Sequence, residues 1–460
     1  MIERSPKRPD SALRRLVACL FVGCACAALS LAAPLHASGG DTVPGRFGAA
    51  VFACRSTFDL REVDWIAADD AADSLPYYAA RGREGAVLSI LGPVPAALGA
   101  PFMEGLEEGT VLMDRELERR ARIAATLAVS VAALLLTAAL TARTTALRAA
   151  VLALVVGLSF AGVPTLAQGL WQQTALVVPM MAAVATLAWA PWRGGALLVF
   201  TPALLSVAVL TRPNAVFVLG ALGIVWILAV RSMPRWRALF AMALPVAALG
   251  ALPQLAWNMV ATGDPLALHV YVPSHRAGGI LFHSDLGAFV KGLAGLVASP
   301  ARGLLFFAPV FPLSLYVSLR YGDREARLVG AGILLHIAVI AAYRAWWGGW
   351  VFGPRLLSEA VWFSPLLVAA MPPSRALRTL FLGASVATVA VGILGTFRYD
   401  AGVWELRRDP DKHQDALWDF RDSPLVAMIH GHGVPTVDAP PGPYAYCTRR
   451  ALDRVARVSP

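Results

Sequence analysis

The chain has 460 residues, 57% of them hydrophobic and only 15% charged, against about a quarter charged in a soluble domain. Its mean hydropathy of +0.60 excludes a soluble enzyme, a disordered chain and a disulfide-rich secreted scaffold. What remains is an all-α polytopic membrane protein, in which the net charge of +10 reports loop charges more often than a nucleic-acid partner.

A helix crosses the hydrocarbon core with about 20 mostly apolar residues. Charge-free runs fall at 16–40, 123–142, 149–192, 194–211, 213–230, 238–263, 303–319, 328–343, 360–374 and 379–397. The 149–192 run is long enough for two spans, with a turn at Gln168–Gln173 around Trp171. The 360–374 run must extend back through Glu359. About eleven transmembrane helices are expected.

Lys and Arg near span ends set the orientation. With the N-terminus (residues 1–15) in the cytoplasm, the inner segments also hold Arg143, Arg148, Arg193, Arg231, Arg235, Arg237, Arg320, Arg324, Arg327, Arg375 and Arg378. Their acidic residues are few: Glu3, Asp10, Asp323 and Glu325. The reading is N-in, C-out, and this address label accounts for most of the basicity. No nucleic-acid partner is expected. Arg119, Arg120 and Arg122 run against the pattern, because they enter the second span from the outer side.

The first span (16–35) has a second reading. Its basic start, apolar Leu16–Ala33 and small residues at Ala37–Gly40 also fit a cleaved signal peptide. Residues 36–121 then form a first extracytoplasmic loop with helical character. Asp41 stands at its start in Ser38-Gly-Gly-Asp-Thr-Val-Pro44. A carboxylate at the water–membrane boundary can act as a base toward a hydroxyl or bind a metal, although a lone loop aspartate is more often a solvated turn residue. The stretch 86–103 is too broken by Pro to span and could lie along the membrane interface.

Residues 122–397 carry spans two to eleven with short loops and an outer loop at 257–302. That loop opens with Trp257-Asn-Met-Val-Ala-Thr-Gly-Asp-Pro-Leu266, including Asn258, and contains His269, His275, Arg276, His283 and Lys291. It closes with Ser299-Pro-Ala-Arg-Gly303. A further outer loop reads Trp346-Trp-Gly-Gly-Trp-Val-Phe-Gly-Pro-Arg355. One interfacial Trp would be an aromatic belt, but Trp346, Trp347 and Trp350 among three glycines suit a sugar-stacking surface. The outer cations Arg212, Arg276, Lys291, Arg302, Arg344 and Arg355 face only Asp264, Asp285 and Glu359. Arg binds phosphate bidentately and Lys supplies a point charge, so a lipid-linked phosphate would satisfy them, as would lipid headgroups or internal salt bridges.

A polar extracytoplasmic tail occupies 398–460. Cys54 and Cys447 are the two cysteines expected outside the membrane and are expected to form a disulfide joining the first loop to the tail. Cys19, Cys24 and Cys26 read as packing residues of span one. The histidines lack metal-site spacing, and no Walker, dinucleotide or other phosphate-binding Gly motif occurs. No cofactor is required by the sequence, and a divalent metal is left open.

Taken together, these residues resemble the integral-membrane glycosyltransferases of the C superfamily (the GT-C fold), which include protein O-mannosyltransferases and lipid A aminoarabinose transferases. The resemblance runs roughly from the first to the tenth span. It rests on Asp41, on Gly85–Pro101, on Trp257–Pro265, on Ser299–Gly303 and on Trp346–Arg355. It implies inverting transfer of a sugar from a polyprenyl-phosphate donor to an acceptor hydroxyl outside a bacterial inner membrane. Asp41 would be the catalytic base, and Arg212, Lys291, Arg302 and Arg355 would hold the donor phosphate. Trp346, Trp347, Trp350, Asn258 and His283 would line the substrate cavity. Many relatives have two adjacent acidic residues in the first loop, whereas Thr42 follows Asp41 here, which weakens a metal-dependent version. The acceptor, whether lipid, glycan or protein, is unassigned. A flippase for lipid-linked sugars and a noncatalytic assembly subunit are the alternatives; internal repeats, which a transporter tends to show, are not found.

Overall fold

A computed structural model describes residues 10–35, 40–76, 78–82, 85–105, 111–193, 195–265, 282, 285–367, 374–399, 404–430 and 443–445. The described chain is mainly helical, and it is a multi-pass membrane protein: seven helices are long and apolar enough to cross a membrane.

Helix α1 (Ala12–Ala32) starts where Ser11 accepts from the Arg14 N–H, and it lies against α5 (Asp114–Thr141). Ser30 and Thr126 share a buried 2.7 Å hydrogen bond between the two. Arg122, misplaced on charge rules alone, is buried with a structural duty. Its Nη1 donates to Pro34 O at 2.9 Å and its Nη2 to Ala33 O at 2.8 Å. The guanidinium thus satisfies carbonyls just past the end of α1, which a helix terminus otherwise leaves orphaned.

The first outer loop is a small folded unit. Between α1 and α5 it contains α2 (Val43–Arg55), α3 (Asp64–Ala71), an antiparallel pair (β1 Ala79–Arg81, β2 Val87–Ser89) and α4 (Val94–Gly99). The 86–103 stretch is packed against the rest of the fold. Pro95, Ala96, Gly99, Ala100 and Met103 are buried, because α4 packs on α2 and on α7 (Gln172–Arg193). Arg46 Nη1 meets Glu118 Oε1 at 2.5 Å, fixing α2 to α5.

The 149–192 run divides near its expected turn. Helix α6 (Ala146–Gly157) stops, an irregular buried segment follows, and α7 begins at Gln172. Then come α8 (Thr201–Thr211), α9 (Val216–Arg231) and α10 (Trp236–Thr262). Pro245 and Pro253 lie inside α10, as membrane helices tolerate.

Against the expected eleven or so, seven helices among the described residues have the length and apolarity of a span, and the other apolar runs take other forms. Ala146–Gly157, Gly195–Thr211 and Leu286–Ala298 are apolar but short, Val310–Tyr321 has 12 residues, and 355–367 is broken into short turns rather than one helix. Nor is 257–302 wholly a loop. Asn258 belongs to α10, and Leu286–Ala298 is a helix capped by Asp285, which accepts from the Gly287 and Ala288 N–H groups. That helix packs on the span Arg324–Ala342. A Cβ on Gly292 would collide with the Ala341 carbonyl, and one on Gly295 with the Trp346 ring.

After the last span, Arg375–Arg398, the described tail is folded and not merely polar: Trp404 and Glu405 are buried and Ser299 Oγ donates to Leu417 O at 2.6 Å. A second antiparallel pair joins Val111–Met113 of the first loop to Pro443–Ala445.

Candidate active site

Asp41 sits in a single 3-10 turn, Gly40–Thr42, that runs straight into α2. Its partner comes from 314 positions further along the chain. Arg355 Nη2 donates to Asp41 Oδ2 at 2.5 Å and to Gly348 O at 3.0 Å. The Arg355 side chain is 8% exposed and that of Asp41 26%. The guanidinium lies 4.3 Å from the Trp171 ring centroid, a cation–π contact. Arg355 Nε is buried and has no hydrogen-bond partner.

The loop that delivers Arg355 turns on glycines. Gly348, Gly349 and Gly353 have φ of +78°, +75° and +71°, a region that side-chain-bearing residues avoid. Arg302, wholly buried, braces this loop from behind: its Nε donates to Trp347 O at 3.2 Å and its Nη2 to Gly349 O at 3.0 Å. Glu405 answers its charge at 3.0 Å, and the Tyr399 hydroxyl donates to the same carboxylate at 2.6 Å. The tryptophans are tied to the tail, with Trp347 Nε1 donating to Asp411 at 2.8 Å and Trp350 Nε1 to Asp409 at 3.2 Å. Trp346 stands edge-on to Trp347 at 5.9 Å between centroids.

Arg212 belongs to the same neighbourhood. Its Nε meets Glu359 Oε1 at 2.9 Å with Glu359 fully buried, and the Gln173 amide oxygen, turned toward it, accepts from Nη1 at 2.9 Å and Nη2 at 3.1 Å. His336 reaches Glu359 at 3.4 Å while its ring nitrogens engage Asn214 O at 3.0 Å and Leu356 O at 3.2 Å. Tyr343, just past the span Arg324–Ala342, reports the convergence. Burial pushes its phenol up, and the charges of Asp41, Arg355 and Arg212 all act on it.

The remaining candidates lie elsewhere or outside view. Lys291 is exposed on the Leu286–Ala298 helix, beside Leu286 and Val290, which are exposed as well. Asn258 accepts from Gln254 at 2.9 Å and donates to Pro265 O at 3.1 Å. His283 and Cys447 lie outside the described residues. Cys54 is disulfide-bonded, whereas Cys19, Cys24 and Cys26 are free. Among the described residues no three His, Cys, Asp or Glu side chains gather as a metal would need, and the first partner of Asp41 is a cation.

Sequence reasoning passed over Glu359, His336, Tyr343 and Trp171 as site residues. A signal existed for the first: an ionisable residue inside an apolar run is a functional candidate by default. Near this cluster, a cavity of about 850 Å³ opens between the first loop and helices α8 and α10. Phe58, Asp59, Arg61, Thr211, Gln254 and Trp257 are among its walls.

No family model matches the chain, and no curated protein does. Among solved structures the chain is similar to ArnT from Cupriavidus metallidurans bound to undecaprenyl phosphate, with 15% identity over 84% of this chain and 76% of that one, at a TM-score of 0.46. It is also similar to the archaeal oligosaccharyltransferase AglB from Archaeoglobus fulgidus, in complex with an inhibitory peptide and a dolichol-phosphate. That match has 12% identity over 90% of this chain and 61% of the other, at a TM-score of 0.39.

Proposed function

We propose that the chain is an inverting membrane glycosyltransferase that moves a sugar from a polyprenyl-phosphate donor to an acceptor hydroxyl. The face that reacts is the extracytoplasmic side of a bacterial cytoplasmic membrane. The observation that carries this reading is the ion pair of Asp41 with Arg355, a carboxylate and a guanidinium brought together from distant parts of the chain, while Arg212 is held by Glu359 and Gln173.

In the reaction, the acceptor oxygen attacks the anomeric carbon of the donor as its proton passes to Asp41. The bond from that carbon to the phosphate oxygen breaks, and the leaving lipid phosphate carries the electron pair. Arg355 and Arg212 stabilise the charge it gains, where preorganised donors act most strongly. Arg302 serves at one remove by fixing the loop that aims Arg355. The lipid portion of a substrate fits the mostly apolar cavity between the first loop and α8 and α10, and the acceptor class, lipid, glycan or protein, is open.

The test is envelope glycan and lipid profiling of a strain lacking the gene, complemented with wild type or Asp41→Asn. A general base contributes about 10²–10⁴ in rate, so Asp41→Asn should fail to restore the product while the protein still inserts. A wild-type profile from Asp41→Asn defeats the assignment.

A further inference from the structure

We propose that Arg355 is a two-position switch, pairing with Asp41 in one position and surrendering it to a lipid-borne phosphate in the other. Donor binding then frees the base, which gives the reaction a compulsory order with the donor first. The idea rests on the reading of the site as a donor-phosphate site.

Three features of the geometry converge on it. With Oδ2 engaged by Arg355 at 2.5 Å, that carboxylate oxygen gives one of its lone pairs to a guanidinium and has less to offer a hydroxyl proton. The guanidinium itself is under-used: Nη2 makes its two hydrogen bonds to Asp41 and Gly348, but Nε is buried with none. Arginine presents its donors as a rigid fork that matches phosphate oxygens in pairs, so a phosphate offers two acceptors where Asp41 supplies one contact.

The frame decides what can move. Arg302 fastens the backbone at Trp347 and Gly349, and Asp411 and Asp409 fasten Trp347 and Trp350. Thr165 Oγ1 adds a hydrogen bond to Phe352 O at 3.1 Å, so the backbone is held from Trp347 to Phe352 and the exchange falls to the side chain. Trp171 supplies the bearing surface at 4.3 Å: a guanidinium turning in its own plane keeps that stacking while it trades partners. Arg212 is a poorer candidate for the exchange, because Glu359 and Gln173 already hold it on both sides.

The experiment uses the full chain in nanodiscs, with farnesyl phosphate as the probe and farnesol as the uncharged control. If Asp41 competes with phosphate for Arg355, removing its charge should tighten farnesyl phosphate binding by about tenfold, the scale of one hydrogen bond to a charged group. Farnesol binding should stay the same. Asp41→Asn is the primary variant, and Asp41→Ala repeats the measurement should the amide disturb the turn. In the wild type, farnesyl phosphate should also change the tryptophan emission by an increment that Trp171→Phe removes. Unchanged or weaker phosphate binding in both variants overturns the switch, as does an emission increment that survives Trp171→Phe. Tighter binding with sugar transfer intact overturns the base assignment and leaves the switch standing. Unchanged binding with transfer lost does the reverse.

Discussion

Arg302 shows how far a single side chain can be from what its position suggests. As an outer-face cation it invites a phosphate partner, yet it is wholly buried and paired with Glu405, a residue 103 positions further on. A pairing over that distance leaves no trace in local sequence, so residue type alone pointed to a ligand. Asp41 and Arg355 were legible as candidates because a loop carboxylate and a glycine-delivered arginine carry chemistry in their residue types. Their contact, and the Glu359–His336 support behind Arg212, were not. Breaking a buried pair leaves an uncompensated charge at a cost of about 3–5 kcal/mol. Glu405→Leu is therefore expected to lower the thermal unfolding midpoint in detergent sharply. A midpoint within error of wild type would mean that Arg302 finds another partner.

At the scale of elements, the Leu286–Ala298 helix was hidden by one residue. Lys291 interrupts an otherwise apolar segment, and a search for charge-free runs steps over it. The break between α6 and α7 was visible, because Gln and Gly announce a turn whatever surrounds it. The helical turns of 355–367 were not, since their apolar composition is that of a span and only tertiary packing breaks them. The close approach of Leu286–Ala298 to the Trp loop gives a direct test. Gly295 faces the Trp346 ring with no room for a Cβ, and overpacking a filled core typically costs about 1–3 kcal/mol. Gly295→Val should lower the unfolding midpoint and displace Trp346, read as a shift in tryptophan emission. Gly383, which meets nothing within 4 Å, is the control position, where valine should be tolerated.

For the molecule as a whole, the apolar composition and basic excess made a helical membrane protein evident, while the number of spans did not follow, because composition cannot tell a spanning helix from a short one buried against its neighbours. The first loop and the tail are joined at least by the pairing of Val111–Met113 with Pro443–Ala445, and Cys54 is oxidised. We expect its partner to be Cys447. Alkylation of the unfolded, unreduced protein should then mark only Cys19, Cys24 and Cys26, and peptide mapping should recover the Cys54 and Cys447 peptides linked. Free labelling of both would rule the link out.

The bond between Arg302 and Glu405 also has a meaning in time. Arg302 is made long before Glu405, which follows the last spanning helix. Until synthesis passes that point, the brace behind Trp347 and Gly349 lacks its counter-charge. The Trp loop is thus among the last parts of the chain to be secured, and a nascent chain halted before residue 405 would hold all the described candidate spans but lack the brace behind Trp347 and Gly349.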